Sequence, residues 1–358
     1  MTTARAAVAA SRRVIVKIGS RAIAGDPSVV VRLAAGVAEA KKKGKSCIVV
    51  SSGAIALGTK KLGFRSRPRE MAKLQAAAAA GQSVLVRSYE DAFAARGISV
   101  AQVLLTHSDL ADRTRGNNAR AALEALLECG AVPVLNENDS VAVDEIKFGD
   151  NDQLAAMVTS LVGADLLVLL SDVEGLLDAS GKRVRAVDDI ARASELVRTS
   201  KSDVGTGGMT SKLEAARRAT LAGAHVVVAS AAQEDVLQAI FAGSDVGTHF
   251  PPARERLTSR KHWIAFTLRP RGDIVLDEGA TLAVRTKGKS VLAVGVLGIR
   301  GDFREGDAVR IVDPSGAEIG RGLAGAAAPE AARSAGRRRE EGETAIEIVH
   351  RDDLVVWK

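Results

Sequence analysis

From Val14 to about Ala253 the chain alternates short, continuously apolar runs with longer stretches of helical pattern, and this alternation limits the fold more than any other feature. The runs Val14-Ile15-Val16, Ile48-Val49-Val50, Val100 to Leu105, Val132 to Leu135, Leu166 to Leu170 and Val226-Val227-Val228 are β-branched or wholly apolar. Gly, Ser, Asn or Asp bound them, the pattern of strands buried on both faces. Between them the sequence predicts helices over Val29–Lys43, Arg69–Ala95, Asn117–Cys129, Asp152–Val162 and Met209–Ala222. The Ala76–Ala80 run combines high helix propensity with small side chains and reads as a closely packed helix. Strand and helix in alternation imply an α/β fold with a mainly parallel sheet sandwiched by helices.

The texture changes at Pro251-Pro252. Residues 254–271 read as a basic connector containing His262-Trp263. Residues 272–358 read as a small β-rich domain of short strands and Gly turns, with one helix over Pro329–Arg338. Residues 1–253 form the larger domain. At 358 residues the chain exceeds one ordinary domain of about 100–200 residues.

Several classes of protein are disfavoured. The longest strongly apolar run, Leu166–Leu170, is far short of the roughly 20 residues that cross a bilayer. No apolar block precedes Arg12-Arg13, which argues against a secretory signal. Two cysteines, Cys47 and Cys129, make neither a metal-ligand spacing nor a disulfide framework, so a cytoplasmic location is expected. Net charge is +7, yet 50 Lys and Arg stand against 43 Asp and Glu, and aromatics are 3%. That mixed surface argues against a nucleic-acid footprint, which interleaves basic and stacking residues. Gly44-Lys45-Ser46 ends like a P-loop, but Glu39 stands where its first glycine belongs; Gly205-Thr206-Gly207-Gly208 fails the dinucleotide fingerprint at Thr210.

What remains is a set of polar loops at the carboxyl ends of the expected strands, where open α/β sheets bind their ligands. They are Lys17-Ile18-Gly19-Ser20, Ser51-Ser52-Gly53-Ala54, Asn136-Glu137-Asn138-Asp139 with Gly149-Asp150-Asn151-Asp152 downstream, Ser171-Asp172, and Gly205 to Lys212 opening a helix. Singly, each is an ordinary turn, cap or surface lysine. Jointly, along one sheet edge, they mark a site.

These segments, together with His350-Arg351-Asp352-Asp353, resemble those of the glutamate 5-kinase family, amino-acid-kinase-fold enzymes of proline biosynthesis with a C-terminal PUA domain. The resemblance covers nearly the whole chain. It implies ATP-dependent phosphorylation of the L-glutamate γ-carboxylate, with ATP as substrate and Mg²⁺ required. It implies feedback inhibition by proline and a homo-oligomer, a tetramer. Ser52, Asp139 and Asn151 correspond to glutamate-binding positions. Lys17, Gly19, Ser171, Asp172, Gly207, Gly208, Met209, Thr210, Ser211 and Lys212 correspond to nucleotide-binding ones. Leu176 follows Gly175 where the family often has a tyrosine, and Gly322–Ala326 lacks the expected Tyr/Ser character. The alternatives are another kinase of this fold, acting on aspartate, N-acetylglutamate, carbamate or UMP, or an RNA-binding or RNA-modification component working through the PUA-like domain.

The residues suit the implied chemistry. A glutamate γ-carboxylate is already ionised at neutral pH and needs no general base. The difficulty is bringing one anion up to another, so catalysis rests on positioning and positive charge. Lys17 and Lys212 would flank the transferring phosphoryl group, with Asp152, or Asp150 beside it, holding the lysines. Glycines would allow close backbone approach to phosphate oxygens. Asp139 is a partner for the substrate ammonium, backbone donors near Ser52 suit a carboxylate, and Mg²⁺ would bridge ATP oxygens without a protein carboxylate cage.

Overall fold

The computed structural model describes residues 3–141, 151–190, 193, 208–337 and 346–357. The chain divides into two compact units, Met1–Arg256 and Leu257–Lys358.

The first unit is built on a seven-stranded sheet. Its strands are β1 (Arg13–Ile18), β2 (Ser46–Ser51), β3 (Val100–Leu105), β4 (Val132–Glu137), β5 (Leu166–Ser171), β6 (His225–Ser230) and β7 (Thr248–Phe250). In space they run β3-β4-β2-β1-β5-β6-β7. Every neighbouring pair is parallel except β6 and β7, which are antiparallel. The six apolar runs thus form six strands of this sheet. The seventh, Thr248-His249-Phe250, carries too short and too polar a pattern to be read in advance.

Helices cover both faces. In chain order they are α1 (Thr3–Ala10), α2 (Ser20–Gly25), α3 (Ser28–Lys42), α4 (Ala54–Lys61), α5 (Met71–Ala94), α6 (His107–Ala111), α7 (Arg113–Glu128), α8 (Asn151–Leu161), α9 (Met209–Leu221) and α10 (Val236–Phe241). Because strand side chains alternate, Val14, Val16 and Ile18 of β1 join the core made with α3, α5 and α10. Ile15 joins the opposite core, with α7, α8 and α9. Lys17 has the parity of Ile15, so β1 delivers its one charged interior residue to the α8–α9 face. From β1 the chain turns into α3 on one face; after β5 it enters α9 on the other. The loops therefore part between two adjacent strands, the geometry that opens a ligand crevice at the carboxyl edge.

The alanine-rich helix packs as its composition predicts. A Cβ on Gly58 of α4 would lie 1.7 Å from the Ala77 carbonyl oxygen, and one on Gly81 of α5 would lie 1.8 Å from that of Ala54. The two helices touch backbone to backbone. Cys47 is buried, and burial pushes its thiol up to about 12, which removes it from thiolate chemistry at neutral pH.

The second unit holds a five-stranded sheet in the order β10-β8-β11-β12-β14, made of β8 (Gly272–Leu276), β10 (Val296–Gly301), β11 (Ala308–Val312), β12 (Glu318–Leu323) and β14 (Leu354–Val356). The unit also holds the antiparallel pair β9 (Val291–Leu292) and β13 (Glu347–Val349), and the helices α11 (Glu278–Lys287) and α12 (Ala328–Ser334). The helix expected over Pro329–Arg338 is thus shorter, and residue 338 lies outside the described residues. Part of the stretch read as a basic connector, 254–271, is folded into this unit. Thr258 caps a short helix over Ser259–His262, which runs into a π-turn over Trp263–Thr267. Arg260 Nε sits 2.5 Å from Asp353 Oδ1, and Lys261 donates to the Arg351 carbonyl. Two of the connector's charges thus find partners in the His350–Asp353 motif.

At the amino end of β6, His225 Nδ1 lies 2.9 Å from Nε2 of the buried His249 on β7. Burial, His225 and the positive charge of Arg5 hold His249 down at about 4; burial and Arg256 lower His225, against the pull of Asp165. An unfolded histidine titrates near 6.5. Between about pH 6.5 and 4 the unfolded chain therefore binds a proton that folded His249 refuses, and stability falls as the pH is lowered through that window. Chemical denaturation across pH 4–7 should show this loss, at most about 1.4 kcal/mol per pH unit from this residue. His249→Gln should flatten the slope, and an unchanged slope would exclude the pair as its source.

Candidate active site

At the carboxyl edge the two faces of the sheet contribute different chemistry. On the α8–α9 face, Lys17 Nζ lies 2.5 Å from Asp152 Oδ1, and Lys212 Nζ lies 3.3 Å from Asp152 Oδ2. Ser211 Oγ is 3.4 Å from the same Oδ2. Three elements supply this cluster: β1, the first turn of α8 and the first turn of α9. Asp152 is wholly buried, and the lysine side chains are 8% and 6% exposed. Burial pushes the Asp152 carboxyl up, but the charges and hydrogen bonds of the two lysines outweigh it and hold the group below its ordinary value. One carboxylate thus gathers two ammonium groups, and the cluster keeps a net positive charge. Gln153 Nε2 donates to the Ser211 carbonyl oxygen at 3.2 Å, a second tie between α8 and α9.

One residue earlier, Asn151 reaches the other way. Its Nδ2 lies 2.7 Å from the Ser51 carbonyl oxygen, 2.8 Å from Ser52 Oγ and 2.8 Å from Asn136 Oδ1. Asn136 in turn donates from Nδ2 to Gln82 Oε1 at 2.8 Å, and its Oδ1 accepts the Glu137 backbone N–H at 2.9 Å. Buried Tyr89 donates its hydroxyl to Ser51 Oγ at 2.9 Å. Gln82 and Tyr89 are seven residues apart and so share one face of α5; between them they hold the ends of β4 and β2. Gly53, next to Ser52, has φ 109 at the start of α4, a left-handed conformation that glycine adopts without a Cβ penalty.

Asp139 lies half-buried on a cavity of about 200 Å³, together with Ala54, Ala78, Ala79, Gln82, Leu104 and Asn138. At the end of β5, Ser171 is buried, and its Oγ is 2.9 Å from Oδ1 of Asp172. Asp172 Oδ2 meets Arg21 Nη1 at 3.1 Å. Gly19 caps α2 and donates its N–H to the Leu170 carbonyl, bringing the β1 and β5 loops together. Gly208 caps α9, so Met209, Thr210 and Ser211 form the opening of that helix. Asp150 and Gly207 lie outside the described residues.

The structure therefore joins Lys17, Asp152, Ser211 and Lys212 in one cluster and Ser52 with Asn151 in another. Asp139 stands on the cavity wall, and Ser171-Asp172 stands on the strand beside Lys17. Gln82, Tyr89, Gln153 and Arg21 were not read from the sequence. The first two sit mid-helix, and their partners are 54 and 38 residues away, so no local pattern announces them.

Two paired lysines and the openings of α8 and α9 lie together at the carboxyl edge of a mainly parallel sheet, an arrangement suited to an enzyme that handles anionic substrates. The model of the amino acid kinase family matches residues 12–230, and that of the PUA domain matches residues 272–344. Glutamate 5-kinase of Myxococcus xanthus (strain DK1622) is 47% identical over 99% of each chain. The glutamate 5-kinase of Geobacter metallireducens is 46% identical over 96% of this chain and 97% of its own, and that of Chromobacterium violaceum is 43% identical over 97% and 98%. The chain belongs to the amino acid kinase family and, within it, to the glutamate 5-kinases. N-acetylglutamate synthase from Neisseria gonorrhoeae, solved with coenzyme A and L-arginine, shares the fold: TM-score 0.52, 16% identity, 70% of this chain and 64% of that one.

Replacing Asp152 by Asn should leave two nearly buried lysines without a counter-charge. Removing one partner of a buried ion pair costs about 3 kcal/mol or more. The Asp152→Asn variant should therefore unfold at distinctly lower denaturant than the parent at pH 7. The gap should begin to narrow only as the pH falls past the ordinary carboxylate value near 4, and close once it passes the lower value at which folded Asp152 takes up its proton. Equal midpoints at pH 7 would show that the lysines do not depend on it.

Proposed function

We propose that the protein transfers the γ-phosphoryl group of ATP to the γ-carboxylate of L-glutamate, giving γ-glutamyl phosphate and ADP as the first step of proline biosynthesis in the cytoplasm. The observation that carries this reading is the Lys17–Asp152–Lys212 cluster, joined through one peptide bond to the Asn151–Ser52–Asn136 network. Phosphoryl transfer between anions needs positive charge at the transferring group and a fixed carboxylate acceptor. Asp152 holds both ammonium groups in register, and their surplus charge is left for the phosphoryl oxygens. The opening of α9 presents backbone N–H groups to the nucleotide. Gly19, Ser171 and Asp172 lie at the carboxyl ends of β1 and β5. Asp139 and the Ser52 loop take the amino acid.

Both oxygens of Asp152 are engaged by lysines. Among the described residues no group of three His, Cys, Asp or Glu side chains is placed to hold a metal ion. Mg²⁺ would enter with the nucleotide, as MgATP.

Proline carries an α-carboxylate and a cationic amine but no γ-carboxylate, so the groups that hold glutamate suit it as a competing inhibitor. We also assign catalysis to the first unit and a tuning role to the PUA-like unit, in a homo-oligomer, a tetramer in keeping with the family. No helix among the described residues is long and apolar enough to cross a membrane.

ADP release should be stimulated by L-glutamate above aspartate, N-acetylglutamate, carbamate and UMP. Lys17→Met and Lys212→Met keep the aliphatic stem and delete the charge; each should lower kcat by roughly 10²-fold or more while the fold persists. Faster turnover with another acceptor would overturn the substrate, and near-normal kcat in both variants would overturn the role of the lysines.

A further inference from the structure

The orientation of one carboxamide at the cavity wall is fixed by a chain of hydrogen bonds that ends on the backbone. A peptide N–H can only donate, so the contact from Glu137 N identifies the bonded atom of Asn136 as Oδ1. The same oxygen faces Asn151 Nδ2, whose own identity is set by the Ser51 carbonyl, which can only accept. Asn136 therefore turns Nδ2 toward α5, and Gln82 must meet it with Oε1. That leaves Nε2, with two hydrogens, as the donor end of Gln82. Among the described residues it has no hydrogen-bond partner, and the side chain lines the same cavity as Asp139.

We propose that Gln82 is a substrate-binding residue whose Nε2 donates to the α-carboxylate of the amino acid. The assignment rests on the glutamate reading above. In that reading the γ-carboxylate faces the lysines, so the α-carbon, with its ammonium and carboxylate, lies at the far end of the substrate. Both groups branch from one atom and need an acceptor and a donor on neighbouring walls. Asp139 supplies the acceptor, and Gln82 supplies the donor. A glutamate at position 82 would keep the acceptor for Asn136 but set an anionic oxygen against the substrate carboxylate. A methionine would keep the stem and remove both functions.

The test measures ADP release and calorimetric binding on the full chain for wild type, Gln82→Met and Gln82→Glu. L-Glutamate is compared with 4-aminobutyrate, which is glutamate without its α-carboxylate. Both variants should weaken glutamate binding by roughly tenfold or more, the scale of a lost hydrogen bond to a charged group. KM for ATP should stay unchanged, and Gln82→Met should weaken 4-aminobutyrate, which has no α-carboxylate to lose, by clearly less than it weakens glutamate. If Gln82 only supports Asn136, Gln82→Glu will bind glutamate as wild type does, and Gln82→Met will weaken both ligands equally; either result overturns the proposal. Wild-type turnover of glutamate with unaltered variants refutes the role of Gln82 alone. Absent wild-type turnover with glutamate refutes both this role and the substrate.

Discussion

The arrangement depends on a single buried carboxylate. Asp152 has no exposed surface, and each of its oxygens meets a different lysine from a different element. Two ammonium groups this deep would repel each other and resist desolvation if left alone. The carboxylate makes their shared placement tolerable and leaves them one positive charge in excess. It also fixes geometry: β1, α8 and α9 come from three distant parts of the chain, and their ends are brought into register at one residue.

The neighbouring peptide carries the same logic to the substrate side. Asn151 and Asp152 are adjacent, yet one reaches toward Ser51, Ser52 and Asn136 and the other toward Lys17 and Lys212. The first turn of α8 therefore sets the distance between the charged cluster and the cavity. α5 contributes nothing to the charged cluster, but Gln82 and Tyr89 tie the ends of β4 and β2 to its face. The hydroxyl of Tyr89 is wholly buried, and burial raises it well above its ordinary range, outweighing the hydrogen bond to Ser51. It works as a neutral donor and never as an acid. Fixed dipoles and fixed charges of this kind suit a reaction in which positioning supplies most of the catalysis.

The sheet was legible because strands buried on both faces must be apolar at nearly every position, as Leu166 to Leu170 are. The final strand, Thr248-His249-Phe250, was not, since three residues at an edge carry no period. Lys17, Asp152 and Lys212 could be placed on one sheet edge from strand order and resemblance. Their mutual geometry could not, because it depends on how α8 and α9 settle on the sheet. Gln82 and Tyr89 are silent in the sequence for a different reason: a helix interior gives a polar residue no local signature, and their partners lie on other elements. The basic stretch before the β-rich unit carries the composition of a connector, yet part of it is folded, because Arg260 and Lys261 meet Asp353 and the Arg351 carbonyl some ninety residues on.

The contact between Gly58 and Gly81 leaves no room for a single methyl group. Two helices pressed together at the backbone have little freedom to slide or tilt against one another. One of them begins at the Ser52-Gly53 loop, and the other carries Ala78, Ala79 and Gln82, so that side of the cavity behaves as a single casting. On the proposed reading, in which this cavity takes the acceptor, a bulkier amino acid cannot be accommodated by spreading those helices, and a change of acceptor would fall to the side chains at 78, 79 and 82 or to the loop around Asp139.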